Sequence, residues 1–236
     1  MTRAMLLAAG RGVRMRPLSD GTPKPLLEVG GKPLIVWQIE ALARAGYTDL
    51  VVNAAHRAAD LVRRLSDGAA LGVRIAWSIE HEPLEVGGGI ATALPLLEPG
   101  AVLIVSGDIW TGFDYASLRP RVAALGSAES SVRAHLVMVP NPAYHPDGDF
   151  HLSADGMVSR AAPPSLTYGN IGVYDTALFR GLPRGTRLPM LPLLIDWIDR
   201  RLVSGQRYDG PWSNVGTPDD LAQLDAELIA AARRTG

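Results

Sequence analysis

Apolar and polar positions along the chain fall into blocks with the lengths of strands and helices. Residues 5–9 form a continuous apolar run, too short for a helix and patterned like a parallel strand buried on both faces. Further strands are predicted at 49–53, 73–78 and 101–106. Helical stretches separate them. Leu34 opens a helix with Ile35, Ile39 and Leu42 on one face and Gly46 placed to end it. Before it, residues 26–33 read as a short strand and a glycine turn. Residues 58–65 make a second helix with a polar outer face, and Gly87, Gly88 and Gly89 stand immediately before a third.

The second half is less regular. A helix from Tyr115 leads to a strand at 134–139. Residues 150–152 and 157–159 flank Ala154, Asp155 and Gly156, a hairpin signal. A strand at 169–174 should return to the main sheet, followed by a helix at 188–202 with Leu191, Leu194, Ile195 and Ile198 on one side. Thr217 suits an N-cap, Pro218 the first helical position, and Asp219 and Asp220 the positive end of a terminal helix. Its Leu221, Leu224 and Leu228 should pack back, with 230–236 fraying. Strand and helix alternate without an internal repeat. The pattern predicts an α/β fold, a three-layer Rossmann-like, mostly parallel sheet with helices on both faces and a small hairpin-containing half. No linker divides the 236 residues.

Composition narrows the function. Hydrophobic residues make up 47% and charged residues 20%, ordinary for a globular enzyme. A net charge of −1 argues against a general binder of nucleic acid or membrane. The absence of cysteine excludes disulfides, thiolate nucleophiles and cysteine zinc sites. The first apolar run is too short for a membrane span or signal core, so a cytoplasmic location is the default. Oligomeric state stays open.

The chemistry begins where that run breaks. Gly10 and Gly12 sit in a loop with Arg11, Arg14 and Arg16, and Lys24 follows between Pro23 and Pro25. Glycines let backbone N–H groups approach a ligand and form an anion-binding nest. Guanidiniums add positive charge, and the prolines hold the lysine on a stiff support. Strand, glycine loop, arginines and lysine together are what a triphosphate requires, although Arg11 and Arg16 could equally be solvated flank. The glycine triplet before the third helix suggests a contact with a flat or anionic ligand. Asp108 follows a central strand, at the carboxyl edge where open α/β sheets bind ligands. His56, His81, His135, His145 and His151 lack paired metal-ligand spacing. Trp37, Trp77 and Trp197 read as core, whereas Trp110 and Trp212 stand beside site motifs. Glu80, Glu82 and Glu85 read as structural or as partners for sugar hydroxyls.

The run 5–25, MLLAAGRGVRMRPLSDGTPKP, resembles the signature of the sugar-1-phosphate nucleotidyltransferases, LAAGxGxRxxPxT…PKP, with Ser19 in place of the threonine. The stretches EPLEVGGGI, SGDIWT, NPAYHPDGDF and WSNVGT extend the likeness to about Leu228, most closely to the branch that uses UTP and N-acetylmuramate 1-phosphate. The resemblance implies a nucleotide-diphospho-sugar transferase fold. It divides the chain into a nucleotide-binding half (1–115), a sugar-binding half (130–217) and a terminal helix (217–236).

It also implies catalytic roles for Arg14, Lys24 and Asp108. Nucleotide contacts would come from Ala8, Ala9, Gly10, Gly12, Val13, Gly88 and Ser106, and sugar contacts from Asn141, Asp149 and Asn170. Magnesium (Mg2+) would be held by Asp108 and Asn214. The partners implied are small molecules, a nucleoside triphosphate and a sugar 1-phosphate, with no nucleic acid or membrane. Departures are informative. Relatives carry Asp where Asn214 stands, and Asn where Ser106 stands. The EKP-like lysine of many members is missing, and 161–165 reads as a plain loop. Mannose-1-phosphate guanylyltransferase, glucose-1-phosphate thymidylyl- or uridylyltransferase, and a nucleotide-sugar-binding regulator with weakened turnover are the alternatives.

Overall fold

The opening apolar run becomes β1 (Arg3–Leu7), paired in parallel with β4 (Asp49–Ala54) on one side and β6 (Ala101–Ser106) on the other. The computed structural model describes residues 3–125, 127, 130–161 and 165–235. Between β1 and β4 lie α1 (Leu18–Gly21), a small hairpin of β2 (Glu28–Val29) and β3 (Lys32–Pro33), and α2 (Leu34–Arg44). Next come α3 (Ala58–Leu65), β5 (Arg74–Ile79) and α4 (Glu85–Leu97), then β6. After β7 (Ile109–Thr111) and α5 (Arg119–Leu125), the chain forms β8 (Ala134–Val139), the β9 (His151–Leu152) and β10 (Val158–Ser159) hairpin, and β11 (Thr167–Asp175). It closes with α6 (Met190–Asp199), β12 (Val203–Arg207), β13 (Trp212–Asn214) and α7 (Pro218–Thr235).

Seven strands share one sheet in the order β12-β8-β11-β6-β1-β4-β5. Only β11 runs against its neighbours β6 and β8, so the sheet is mostly parallel, as the alternation of elements predicts. Successive side chains of β1 show why its apolar run is unbroken. Ala4 and Leu6 join Ile35, Ile39, Leu61 and their neighbours on one face, while Met5 joins Ile90, Leu94 and Trp197 on the other. Each face is therefore sealed by helices. A third cluster, Met15, Leu27, Val29, Leu34, Val215 and Leu224, fastens α7 over the small hairpin.

Several boundaries differ from the sequence reading. The glycine triplet lies inside α4, not before it. The helix expected at 188–202 begins only at Met190 and ends at Asp199, and Leu191 is exposed instead of facing the core. The stretch expected to fray stays helical to Thr235. Its start is fixed as foreseen: Thr217 Oγ1 accepts from the Asp220 N–H at 3.2 Å. Asp220 Oδ2 in return accepts from the N–H groups of Gly216 and Thr217 at 2.9 and 2.8 Å, a reciprocal cap. Gly236 and the 162–164 part of the predicted plain loop lie outside the described residues.

Candidate functional site

β1 and β6 end side by side, and the chain leaving them builds the site. Beyond β1, the Ala8 N–H donates to Asn53 Oδ1 at 2.8 Å, which pins the start of the glycine loop to β4. Asn53 Nδ2 donates to Glu80 Oε1 at 2.7 Å, and the Leu84 N–H donates to Glu80 Oε2 at 3.0 Å. This buried chain ties the glycine loop to the entrance of α4. Burial holds the Glu80 carboxyl above its ordinary value, with the Asn53 and Leu84 bonds pulling the other way. Glu80 thus has a structural role, while Glu82 and Glu85 line the cleft.

Gly12 takes a left-handed backbone, φ +61°. A Cβ there would stand 3.0 Å from the Lys24 Cβ, so the glycine lets the loop close over the lysine stem. Ser19 keeps the function of the threonine it replaces: its hydroxyl donates to the Gly12 carbonyl at 2.8 Å. Lys24 is buried, and its Nζ donates to Asp108 Oδ2 at 2.7 Å. Arg14 is exposed, with its guanidinium beside Gly216. Arg16 is paired with Asp20 at the surface, whereas Arg11 faces the cleft.

Two cavities adjoin here and share Leu7, Val86 and Ser106. One, of about 440 Å³, is lined by Ala9, Gly10, Arg11, Asn53, 82–86, Asp108 and Arg187. The other, of about 420 Å³, lies under the second half of the chain, with Tyr144, His145, Asp149, Tyr168, Asn170, Trp212 and Asn214 on its walls. Burial pushes the Tyr168 phenol up to about 12 and holds Tyr174 well above its ordinary value. The two hydroxyls meet at 2.9 Å, a neutral hydrogen-bonding pair in the wall. Asn170 reaches the cavity from an irregularity in β11 between Tyr168 and Gly172, with φ +58°, a conformation that asparagine tolerates better than most residues.

A short ribbon brings Asp108 and Asn214 together, in a way no sequence spacing announces. β13 pairs antiparallel with β7, Asn214 opposite Ile109, and the Val215 N–H donates to the Asp108 carbonyl at 3.1 Å. Gln38, buried on α2, donates to the Ile109 carbonyl at 2.7 Å and accepts from the Tyr115 hydroxyl, buttressing that ribbon. Tyr144, which the sequence reading passed over, is hydrogen-bonded to the Asn214 amide and stands within electrostatic reach of Asp108, Arg14 and Asp220. Among the described residues no group of three or more His, Asp or Glu could form a protein-only metal cage. One carboxylate and one amide oxygen nevertheless fit an ion that takes one or two protein ligands and the rest from phosphate and water.

The structure sorts the remaining expectations. Gly88 does not face the nucleotide cavity: a Cβ on it would stand 2.2 Å from the Thr186 carbonyl, and its N–H donates to the Leu188 carbonyl at 3.0 Å. Gly87 is equally tight against Leu188, and Gly89 against Asn53 and Glu80. The triplet serves close packing. Val13 lies outside both cavities, 57% exposed beside Arg11 and Arg16. Asn141 holds its loop instead of lining the cavity. Its Nδ2 donates to the Pro146 and Ser165 carbonyls at 2.8 and 3.2 Å, and its Oδ1 accepts from Thr167 Oγ1 at 3.0 Å. Trp212 lines the cleft, whereas Trp110 packs edge-on against Trp37. No helix among the described residues is long and apolar enough to cross a membrane.

Known proteins resemble this chain in sequence and fold. The family model described as nucleotidyl transferase matches residues 3–144. The chain is 42% identical over 227 residues to N-acetylmuramate alpha-1-phosphate uridylyltransferase of Neisseria meningitidis, covering 95% of this chain and 97% of the relative. The protein of the same description from Caulobacter vibrioides is 36% identical, with 97% of each chain covered. Among solved structures, HddC from Yersinia pseudotuberculosis complexed with GMP-PN superposes with a TM-score of 0.77 at 18% identity. That match covers 96% of this chain and 99% of HddC, a likeness of fold.

Proposed function

The chain belongs to the nucleotidyl transferase family, and from that premise we propose that it joins UTP to N-acetylmuramate 1-phosphate, releasing pyrophosphate. It is a nucleotidyltransferase. The observation that carries the finer reading is the pair of adjoining cavities. They share Leu7, Val86 and Ser106, and Asp108, paired with Lys24, lines the nucleotide-side cavity. Together they have the form required to bring a triphosphate and a sugar phosphate end to end. We assign residues 1–115 to the nucleotide, 130–217 to the sugar and 217–236 to the terminal helix. A cytoplasmic site of action follows from the triphosphate substrate.

The chemistry needs no general base, because a sugar 1-phosphate is already ionised. Its phosphate oxygen forms a new bond to the α-phosphorus of UTP while the bond to the bridging oxygen breaks and pyrophosphate leaves. What remains for the protein is to hold two anions in line and to stabilise growing charge. Backbone N–H groups around Ala9, Gly10 and Gly12 would cradle the triphosphate, Arg14 would neutralise its outer phosphates, and Lys24 would meet the α-phosphate. The family generally uses a divalent metal. We infer magnesium, held by Asp108 and Asn214 with substrate phosphates, where it would screen charge on the phosphate oxygens.

Lys24 and Asp108 would then exchange partners on binding, each turning from the other to the substrate. Asp149 and Asn170 would meet the sugar. Pyrophosphate release, measured with magnesium across UTP, GTP and dTTP and the 1-phosphates of N-acetylmuramate, mannose and glucose, tests the reading. UTP with N-acetylmuramate 1-phosphate should be used best. A preference for GTP with mannose 1-phosphate would overturn the assignment.

A further inference from the structure

The cavity beside Asn214 has walls unlike those a plain hexose calls for. A hexose presents hydroxyls around its ring, yet Val86, Ile90, Ile104, Met190, Leu191 and Leu194 make much of this lining. Such a surface suits a sugar with apolar substituents. Charge enters the lining, among the described residues, through one pair: Asp149 and His145. Asp149 is held firmly, its Oδ2 accepting from the Tyr168 N–H at 2.8 Å. Its Oδ1 lies 3.1 Å from His145 Nε2, so the carboxylate orients the imidazole and leaves Nδ1 as the ring nitrogen to meet a ligand.

The other cations near the cleft, Arg11 among them, are not part of this cavity's lining. Lys24 is on Asp108, Arg14 stands beside Gly216, and Arg187 is paired with Glu85 at 2.6 Å on the nucleotide side. A second carboxylate entering this cavity would be repelled by Asp149 unless a proton-bearing group stood between them. The His145 imidazole stands so, with Nε2 toward Asp149 and Nδ1 left for the incoming carboxylate.

We propose that His145, oriented by Asp149, is the residue that selects a carboxylate-bearing sugar. Its ring takes the acid of a lactyl ether substituent, while the lactyl and N-acetyl methyl groups lie on the apolar wall. The proposal rests on the uridylyltransferase reading and narrows it to acidic N-acyl amino sugars. It concerns binding of one substituent, not the phosphoryl chemistry.

The test compares N-acetylmuramate 1-phosphate with N-acetylglucosamine 1-phosphate, the same sugar without the lactyl ether, in magnesium-dependent pyrophosphate release from UTP. The parent should prefer the acidic sugar. His145→Gln should lower the acidic-to-neutral ratio of kcat/KM by about tenfold or more, through KM for the acidic sugar more than through kcat. His145→Lys, which supplies a positive charge to the carboxylate, should lose less of that ratio than His145→Gln. An unchanged ratio in His145→Gln, or equal losses in the two variants, overturns the proposal while leaving the enzymatic reading in place. A parent that uses neither sugar overturns both.

Discussion

The Lys24 ammonium and the Asp108 carboxylate, 84 positions apart in sequence, meet at 2.7 Å beside the cavity that Asp108 lines. A buried lysine facing a half-exposed aspartate is a compact charge store. It keeps Lys24 desolvated and aimed without fixing it to a single partner. In the reading proposed above the lysine would act as a catalytic group, turning toward a phosphate as charge grows there.

Lys24→Ala should therefore lower kcat by about a hundredfold or more, the scale for losing one preorganised electrostatic donor, with a smaller change in KM for UTP. Steady-state kinetics decide the point. Turnover within a few-fold of the parent would remove Lys24 from the reacting centre.

Gly88 tests the packing account of the glycine triplet. Gly88→Ala places a methyl 2.2 Å from the Thr186 carbonyl, a backbone atom with little room to retreat. Overpacking of this kind costs about 1–3 kcal/mol. Denaturant unfolding should show that loss, with the KM for UTP in the surviving folded enzyme changed little. A strong KM effect without destabilisation would return Gly88 to the nucleotide site.

These two residues mark what the sequence could and could not reveal. The strands at 101–106 and 134–139 and the helix at 58–65 were legible to the residue, because apolar runs and periodicity are local properties. Lys24 and Asp108 were legible because a glycine loop, flanking prolines and a strand end announce them. Gly88 misled because its reason lies about a hundred positions away, in a segment that crosses α4. The β7–β13 ribbon was illegible for a related reason. Three-residue strands carry no period, and only their pairing sets Asn214 beside Asp108. The buried Asn53–Glu80 link and the Tyr144–Asn214 contact likewise depend on tertiary approach.

The Glu80 carboxyl should leave a pH signature in stability. Burial raises its value in the folded protein above the ordinary 4.5. Folded protein then binds more protons than unfolded protein in the window just above that value, so this contribution to stability is fully present below it and is lost as pH rises through the folded value. Glu80→Gln removes the titration. The difference in unfolding free energy, parent minus variant, should be larger near pH 4 than near pH 7. A difference that grows with pH would show that the hydrogen bonds from Asn53 and Leu84 outweigh burial.

Asn214 is where the chain parts from its family's metal pattern, and the geometry sharpens the consequence. Its strand pairs with the one that begins at Ile109, and its amide contacts Tyr144, so the side chain stands in the same small region as Asp108. An amide oxygen can coordinate magnesium but brings no charge, and hard cations are held chiefly by charged oxygens. If these two residues hold magnesium as proposed, Asp108 and the triphosphate would do most of the holding, which would set a high magnesium requirement. Asn214→Asp should lower the magnesium concentration for half-maximal rate several-fold, and Asp108→Ala should be nearly inactive at any magnesium concentration. The competing account is that Asn214 only anchors Tyr144 over the cleft. In that case Asn214→Asp would leave the magnesium midpoint unchanged, and Tyr144→Phe, which deletes the hydroxyl at that contact, would reproduce whatever the aspartate does to turnover. Magnesium titrations of the three variants beside the parent separate the two accounts.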